Sequence, residues 1–294
     1  MKPRRRLIVD TDAKNEADDQ YAIVHALLSP TLDIRGLIAA HFGTRRSERS
    51  MLDSRDEIDL LLGLMGRDDV TVANGSVAAI PDEHSPADSD GVRLIIAESK
   101  LATAEEPLYV AFLGPLTDMA SAILLDPDLV RRPVIVIWIG GPGYDGILHD
   151  GRGPEFNLSN DIAAANVVFD SGIALWQVPS NVYSQVNVGY AELDARAAPC
   201  GALGAYLVRQ LKEWNDRYHP EAIESRSLGD SPAIGLALYP RGGTFRMRPS
   251  PRFSPQGEYV PGADHPVKVA ETVDVRFLLE DLFHKLAAFA AEGE

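Results

Sequence analysis

The chain contains a single cysteine, Cys200, among its 294 residues. One cysteine excludes an internal disulfide framework and a zinc site built from several cysteines, and it fits a reducing compartment. Basic residues are also in the minority, since 28 Lys and Arg face 43 Asp and Glu and give a formal net charge of −15. This charge repels nucleic-acid phosphates and anionic lipids, so we expect small-molecule or cationic partners and no nucleic acid.

Long apolar runs are missing as well. The basic start "MKPRRR" is followed by only three apolar residues, 7–9, before Asp10 interrupts, which is too short for the apolar part of a secretory signal. No stretch approaches the roughly 18 uncharged apolar residues that a membrane span requires. We therefore expect no membrane association and a cytoplasmic location.

Short apolar strand patterns alternate with helical patterns over the first 180 residues. "RLIVD" (6–10), a helical pattern at 17–29 and "DIRGLIAAHF" (33–42) indicate a β-α-β unit, and the alternation continues to "IALWQVP" (173–179). The segment 134–139 is continuously apolar, which is typical of parallel strands covered on both faces. The sequence predicts an α/β fold with a doubly wound, mostly parallel open sheet and helices on both faces.

The last third of the chain has a different pattern. Helices are predicted at 201–218 and 231–239, followed by a Pro- and Gly-rich stretch and then by β-ribbons at "FRMR" (245–248) and the alternating valines of 267–275. An amphipathic helix is predicted at 275–290, and its apolar side must pack on the rest of the molecule. We therefore predict one domain spanning 1–294.

Five acidic residues crowd into the ten positions that follow the first strand: Asp10, Asp12, Glu16, Asp18 and Asp19. In open α/β sheets, ligands bind beyond the carboxyl ends of the strands. Neighbouring carboxylates repel one another unless a cation neutralises them, so the cluster is either a solvated loop or a site for a hard cation. Acids also suit a helix N-terminus, which gives two of them a purely structural explanation.

Two familiar motifs fit this segment poorly. An EF-hand loop beginning at Asp10 requires glycine and glutamate where Asn15 and Tyr21 stand. The Asp-x-Asp after a strand resembles phosphatases of the haloacid dehalogenase type, which would make Asp10 the nucleophile of a magnesium-dependent phosphohydrolase. Lys14 replaces the threonine expected there, so the match is partial.

Five ordered segments together resemble the inosine-uridine-preferring nucleoside hydrolase family. They are "VDTDAKNEADDQYAI" near the start, "LGPLTDMASAILLDPDLV" (113–130), "WIGGPGYDG" (138–146), "PEFNLSNDIAAANVVFDSG" (154–172) and "LGDSPAIGLALYP" (228–240). The resemblance implies the nucleoside hydrolase fold and a homodimer or homotetramer. It also implies calcium-dependent hydrolysis of the N-glycosidic bond of ribonucleosides or related N-ribosyl compounds, through an oxocarbenium-like transition state.

The resemblance also implies roles for individual residues. Calcium would be held by Asp12, Asp19, Asp230 and the carbonyl of Leu113, and an all-oxygen ligand set independently favours calcium over zinc. Asp18 would be the general base toward the attacking water. The positions matching the substrate-binding residues are Glu155, Asn157 and His149.

The sequence departs from the family pattern in three places. The opening motif is two residues longer, and calcium binding is retained if the extra residues loop outward, as we expect. Gly229 stands where family members carry a histidine or aromatic residue that activates the leaving base, and Thr44 stands near the position of a ribose-contacting asparagine. Candidates for a replacement leaving-group acid are His84, His149, Tyr218 and His219, and candidates for stacking on the base are Trp214, Trp176 and Tyr183.

Two explanations of these departures stay open. The leaving group could be activated from one of the listed positions, or the pocket could accept a different N- or O-linked ribosyl compound. A third hypothesis, from a different functional class, is a catalytically inactive calcium-dependent ribosyl-binding protein.

Overall fold

The computed structural model describes residues 4–146 and 154–293. Its first half contains β1 (Arg5–Thr11), α1 (Asp19–Leu27), β2 (Leu32–Ala39), α2 (Ser50–Met65), β3 (Val72–Asn74), α3 (Asp90–Ser99), β4 (Leu108–Phe112), α4 (Thr117–Leu125), a 3-10 helix (Pro127–Arg131) and β5 (Val134–Ile139). Its second half contains α5 (Phe156–Asn160), α6 (Ile162–Asp170), β6 (Ala174–Val178), α7 (Ser180–Tyr183), β7 (Asn187–Gly189), α8 (Tyr190–Arg196), α9 (Gly201–Tyr218), β8 (Ser225–Ser227), α10 (Ser231–Leu238), β9 (Gly243–Pro249), β10 (Arg252–Phe253), β11 (Tyr259–Val260), β12 (Pro266–Val273) and α11 (Val275–Glu292).

Eight strands form one twisted sheet in the order β3-β2-β1-β4-β5-β6-β12-β9. Neighbouring strands are parallel from β3 to β12, and β9 is antiparallel to β12. The prediction of a mostly parallel α/β fold is therefore confirmed. The strand order changes direction between β1 and β4, and the crevice beyond the carboxyl ends of these strands is where such sheets bind ligands.

The continuously apolar strands are explained by helices on both faces of the sheet. In β1, Leu7 and Val9 belong to the core beneath α1, α2, α9, α10 and α11, whereas Ile8 belongs to the core beneath α3, α4 and α6. Alternate side chains of a strand point to opposite faces, so both faces of β1 must be apolar. β1 is thus a rigid base for the acidic residues that follow it.

The predicted β-ribbons of the C-terminal third are extensions of the main sheet. β12 pairs with β6 on one side, at Lys268 opposite Trp176, and with β9 on the other, at Val269 opposite Arg246. Val267 and Val269 are buried in the core, which is why β12 joins the sheet and does not stand apart as a ribbon. The one-domain organisation stays a prediction, and a sheet built from both ends of the chain favours it.

Smaller differences concern the ends of the last two helices. α10 ends one residue earlier than predicted and α11 runs two residues further. Within residues 4–146 and 154–293, no helix combines the length and apolarity needed to cross a membrane.

Trp138 on β5 is a fully buried residue that links the core to the functional edge of the sheet. Its ring packs edge-on against Phe169 and Phe253, at centroid distances of 5.6 and 6.2 Å, and its Nε1 donates a hydrogen bond to the carbonyl of Gly114 at 3.1 Å. The sequence places Trp138 in an apolar strand and predicts it in the core, which the structure confirms.

We expect Trp138→Ala to lower the free energy of unfolding by about 3–5 kcal/mol, because it removes a large buried side chain and leaves a cavity. Denaturant and thermal unfolding would measure this, with Tm falling by about 10 °C in a chain of this size. Leu101→Ala is the control, since Leu101 is 62% exposed and its loss should change stability by less than about 0.5 kcal/mol. Equal shifts in the two variants would contradict the assigned role of Trp138.

Candidate active site and metal centre

Three carboxylates from two distant parts of the sequence meet at the carboxyl edge of the sheet. Asp18 immediately precedes α1, Asp19 is its first residue, and Asp230 immediately precedes α10. One carboxylate oxygen from each lies within 4.8 Å of the others, and all three residues are buried. Packing of α1 against α10 brings these two helix starts together.

Asp12 and Leu113 line the same cavity as these three carboxylates. Asp12 is buried, and its Oδ2 has no hydrogen-bond partner among the residues that the structure describes. The Asp12 side chain lies so close to Gly114 that only glycine fits there, because a Cβ at position 114 would lie 2.9 Å from Asp12 Cγ. The cavity therefore collects carboxylate and carbonyl oxygens from β1, α1, α10 and the end of β4.

The buried acids strongly perturb one another. Burial raises the pKa of Asp18 to about 7 and that of Asp19 to about 6. Burial, followed by repulsion from the neighbouring aspartates, raises the pKa of Asp12 and of Asp230 well above the usual range. Four such groups repel one another when ionised, and a hard divalent cation bound between their oxygens would relieve that repulsion.

Asp230 could instead have served as an ordinary helix cap, but the structure contradicts this. Its side chain makes no capping hydrogen bond to α10, although it occupies the N-cap position. Asp18 Oδ2 accepts a hydrogen bond from the backbone N–H of Gly229 at 2.8 Å, and Asp19 Oδ1 accepts one from the hydroxyl of Thr11 at 2.5 Å. The Asp230 carboxylate thus faces the other acids and not the backbone of its own helix.

Glu155 lines the cavity but its carboxylate is already well supplied with donors. It caps α5, with Oε2 accepting from the backbone N–H groups of Gly141 at 2.8 Å and Leu158 at 2.9 Å. Oε1 accepts from the N–H of Asn157 at 3.2 Å and from the hydroxyl of Tyr183 at 3.0 Å. The carboxylate is therefore rigidly positioned, and burial raises its pKa.

Asn157 is buried beside it and serves as a structural tie at the cavity wall. Its side-chain amide donates hydrogen bonds to the carbonyls of Leu113 at 2.5 Å and Ile139 at 2.9 Å. These bonds join α5 to the ends of β4 and β5. Asn157 thereby fixes the position of the carbonyl of Leu113.

The extra residues of the opening motif fold inward, contrary to the expectation that they loop outward. Ala13 and Ala17 are fully buried, Asn15 is 5% exposed, and only Lys14 in this stretch is exposed. Side-chain amides from α1 and α9 satisfy the carbonyls of the two alanines, which allows the segment to be buried. As a result, Asn15 and Glu16 line the cavity.

The acidic cavity, about 70 Å³ in volume, opens into a wider cleft of about 580 Å³. Glu16, Asp18, Tyr183 and Gly229 border both. The wider cleft, called the outer cleft below, is also lined by Arg46, Trp214, Tyr218, His219 and Arg226. The structure therefore brings four of the candidates from the sequence to the site: Tyr183, Trp214, Tyr218 and His219.

Other candidates lie elsewhere. His84 is exposed and borders neither the acidic cavity nor the outer cleft, and Thr44 is likewise exposed and away from them. Trp176 lies on β6 and packs against Tyr109. His149 falls outside the described residues.

A family model for inosine-uridine preferring nucleoside hydrolases matches residues 7–280. The chain belongs to this family. It is therefore a nucleoside hydrolase, an enzyme that breaks N-glycosyl bonds, and the resemblance noted in the sequence is confirmed.

Two relatives of this nucleoside hydrolase illustrate the match. A probable uridine nucleosidase 2 of Arabidopsis thaliana is 29% identical, with 96% of this chain and 98% of that protein covered. A pyrimidine-specific ribonucleoside hydrolase RihA of Citrobacter koseri is 26% identical, with 69% of each chain covered.

Solved structures of other nucleoside hydrolases show the same fold. A plant nucleoside hydrolase, the PpNRh1 enzyme, superposes with a TM-score of 0.78 at 24% identity, covering 97% of this chain and all of that one. A purine-preferring ribonucleoside hydrolase from Gardnerella vaginalis superposes with a TM-score of 0.77 at 20% identity, covering 97% and 99%.

Gly229 has a packing reason in this nucleoside hydrolase. A Cβ at that position would lie 3.0 Å from Cδ2 of Tyr183 and 3.2 Å from Oδ2 of Asp18. The ring of Tyr183 thus occupies the space beside Asp18 that a larger residue 229 would need. The absence of a histidine or aromatic side chain at 229 is tied to the presence of Tyr183.

Arg226, Arg46 and Glu16 are site residues for which the sequence suggested no role. Glu16 belongs to the acidic cluster, and Arg46 follows the second strand, but neither has a motif around it. Arg226 lies on the three-residue strand β8, four positions before Asp230. This four-residue separation from a proposed metal ligand is the one feature of the sequence that could have drawn attention to Arg226.

Proposed function

We propose that this nucleoside hydrolase is calcium-dependent and cleaves the N-glycosidic bond of a ribonucleoside, with Asp18 as the general base. The observation that carries the proposal is the meeting of Asp18, Asp19 and Asp230 in one buried cavity, although more than 200 positions separate Asp230 from the other two. The similarity to a probable uridine nucleosidase and to a pyrimidine-specific ribonucleoside hydrolase favours uridine as the first substrate to test.

The donor set supports calcium. Asp12, Asp19, Asp230 and the carbonyl of Leu113 would hold the ion, and oxygen ligands of this mixed kind are those that calcium prefers. The Asp12 oxygen that lacks a partner among the described residues is the kind of atom that a cation satisfies. When bound, the ion would fix the ribose hydroxyls and make a water molecule more acidic.

In this proposal Asp18 receives the proton of the attacking water. Its Oδ2 is held by the N–H of Gly229, so the carboxylate has a fixed orientation at the junction of the acidic cavity and the outer cleft. In the proposed reaction the water oxygen bonds to the anomeric carbon, its proton passes to Asp18, and the bond to the base nitrogen breaks. The electron pair of that bond leaves with the base.

Positive charge develops on the ribose ring during this step. Glu155 supplies a carboxylate on the wall of the same cavity, and its four hydrogen bonds keep it in place. A fixed negative charge there stabilises an oxocarbenium-like transition state without any rearrangement. Asn157 contributes by holding α5 and the Leu113 carbonyl in fixed positions relative to each other.

The magnesium-dependent phosphohydrolase hypothesis is wrong. Its nucleophile, Asp10, is fully buried beside the carboxyl of Asp118. Burial raises the pKa of Asp10, and the charge of Asp118 raises that pKa further. Asp10 borders neither the acidic cavity nor the outer cleft, so its carboxylate cannot reach a substrate there. Family membership points to N-glycosyl hydrolysis instead.

Three further expectations remain proposals. They are the single domain, the homodimeric or homotetrameric state and the cytoplasmic location. The family resemblance supports the oligomer, and size-exclusion chromatography with light scattering would measure it.

The proposed function is tested by incubating the protein with uridine, cytidine, inosine and adenosine and measuring the release of reducing sugar. We expect ribose release from at least one of them, requiring calcium and abolished by a calcium chelator. Absence of release from every nucleoside and from an activated riboside, with calcium demonstrably bound, would refute the proposal.

A further inference from the structure

Arg226 presents a nearly buried positive charge to the outer cleft. Its side chain is 11% exposed and borders the cleft together with Asp18 and Gly229. Its guanidinium carbon lies 4.3 Å from the centroid of the Trp214 ring, and Nη2 pairs with Glu16. Its charge is close enough to Asp18 to lower the pKa of that carboxyl, which partly offsets the effect of burial.

The donors of Arg226 are incompletely used. Nε is buried and has no hydrogen-bond partner among the described residues. Nη1 makes only long contacts of 3.4 Å, to Asn215 Oδ1 and to Nε2 of His219. Nε has almost no accessible surface, so an acceptor supplied by a ligand would have to engage Nη1, whose two existing contacts are both long and therefore weak.

Arg46 borders the same cleft but its position differs. Its Nη1 donates to the carbonyl of Asn15 at 2.6 Å and also to the side chain of that residue. Its guanidinium lies among the rings of Phe156, Trp214 and Tyr218, at 5.0 to 5.6 Å from their centroids. Arg46 therefore fastens the inserted segment, whereas Arg226 has donor capacity to spare.

The chemistry of the leaving group creates a need for such a charge. When the bond between the anomeric carbon and the base nitrogen breaks, the base gains the electron pair and becomes negatively charged unless it is protonated. Gly229 supplies no acid. Tyr183 is nearby, but burial and the neighbouring Glu155 raise the pKa of its hydroxyl well above its usual range, so it holds its proton.

We propose that Arg226 is the leaving-group residue of this enzyme, and that it stabilises the departing base as an anion by a charged hydrogen bond. This inference rests on the proposed function. The guanidinium keeps its proton throughout, and the released base takes a proton from water afterwards. Fixed donors aimed at developing negative charge lower the barrier without having to transfer a proton.

This arrangement selects a class of substrate. A fixed donor is most effective when the negative charge is delocalised onto a carbonyl oxygen next to the departing nitrogen. 2-Oxopyrimidines such as uracil have that oxygen, and adenine has no carbonyl group. We therefore expect uridine to be cleaved much faster than adenosine.

Glu16 is the positioning residue for Arg226. It pairs with Arg226 on one side and lies 3.7 Å from Nη2 of Arg46 on the other. Glu16 comes from the inserted segment, which folds inward over the cavity. The longer opening motif supplies Glu16, and the glycine at 229 omits the side chain that would activate the base. In this proposal the two departures belong together, because Glu16 positions the arginine that takes over the role of the omitted side chain.

The test compares two substrates with different leaving groups in the calcium-loaded enzyme. Arg226→Gln is expected to lower kcat for uridine about 100-fold, the usual effect of removing one fixed donor to a developing anion. For p-nitrophenyl β-D-riboside the change should stay below about threefold, because nitrophenolate is a stable anion and departs without help. Arg226→Lys retains the charge but not the planar donor, and an intermediate loss for uridine is expected.

Arg196→Gln is the matched control. Arg196 also pairs with a glutamate, Glu280, and lies over an aromatic ring, Phe283, at 4.7 Å, but it borders neither the acidic cavity nor the outer cleft. Its replacement removes a similar set of contacts without touching the site. We expect its kcat for both substrates to equal that of the parent.

Several results would overturn the assignment of Arg226. Equal losses on both substrates would place Arg226 in folding or ribose binding, and an unchanged kcat for uridine would leave it no role in catalysis. A uridine-specific loss in His219→Gln that exceeds the loss in Arg226→Gln would identify His219 as the acid.

A parent enzyme that cleaves the nitrophenyl riboside but neither uridine nor cytidine would keep the proposed function and overturn this inference alone. Cleavage of neither kind of substrate would remove both. The alkaline side of the pH profile gives an independent readout. Because arginine stays protonated, kcat for uridine should not fall up to about pH 9.5, whereas a histidine acid would cause a fall.

Discussion

Replacing Asp18 by asparagine is expected to lower kcat for uridine about 1,000-fold, because an amide cannot take a proton from the attacking water. The amide oxygen of the new side chain can still accept the hydrogen bond from Gly229, so the loop between β1 and α1 should keep its conformation. Ribose release under substrate saturation measures the effect. Calcium titration by calorimetry shows whether the metal site remains intact.

Asp128→Asn is the control for this prediction. Asp128 lies in the 3-10 helix, is exposed and pairs only with Arg131 on the surface, within the part of the chain that the structure describes. Its replacement should leave kcat unchanged. An Asp18→Asn enzyme with more than about a tenth of the parent activity would contradict the general-base assignment.

The same variant decides whether the chain is an inactive receptor. A receptor would bind ribose in both the parent and Asp18→Asn, and neither protein would turn over any nucleoside. Turnover by the parent and its loss in Asp18→Asn would exclude that hypothesis.

Removal of divalent cations is expected to abolish activity, with a loss of about 1,000-fold or more that calcium restores. Calcium should also raise Tm, by about 5 °C at pH 8 when its concentration is 100 times its Kd. Differential scanning fluorimetry after chelation measures the shift. Magnesium at the same concentration should give a smaller one, because it requires a tighter octahedral arrangement than four protein oxygens of this kind provide.

The stabilisation by calcium should depend on pH in a defined direction. Burial raises the pKa of Asp18 from 3.8 to about 7 and that of Asp19 from 3.8 to about 6. The unfolded chain therefore loses these protons at lower pH than the folded protein, so ionisation destabilises the metal-free fold. Its stability should fall as the pH rises from about 4 to about 7, and the calcium shift should be larger at pH 8 than at pH 5.

A calcium shift as large at pH 5 as at pH 8 would show that these carboxyls are not the ones that bind the ion. Asp56→Asn is a suitable control, since Asp56 is an exposed acid on α2 paired with Arg49. It should leave both the shift and its pH dependence unchanged. Restoration of activity by magnesium alone would contradict the calcium proposal.

The parts of the fold that follow from local pattern could be predicted from the sequence. The continuously apolar β1 and β5 indicate a sheet covered on both faces, because each residue of such a strand has to be buried on one side or the other. The sequence predicts β12 only as a ribbon, since the spacing of its valines does not reveal which strand it pairs with. β12 pairs with β6 because, in the folded sheet, the edge of β6 that faces away from β5 is open to another strand.

The site could be predicted only where residues carry a recognisable motif. The acids of the opening segment and Asp230 have such a motif, and the structure brings them together. The inward course of Ala13 to Ala17 depends on amide donors from α1 and α9, one of which is nearly 200 positions away. Arg226 likewise depends on contacts with Glu16 and Trp214, which no local pattern encodes.

The hydrogen bond from Trp138 to the carbonyl of Gly114 couples the buried aromatic residues to the proposed ion site. The carbonyl of Leu113 belongs to the peptide unit directly before the one that contains the Gly114 carbonyl. The aromatic layer of Trp138, Phe169 and Phe253 therefore fixes the position of the Leu113 oxygen. Substitutions deep in this layer would alter ion affinity without touching any ligand.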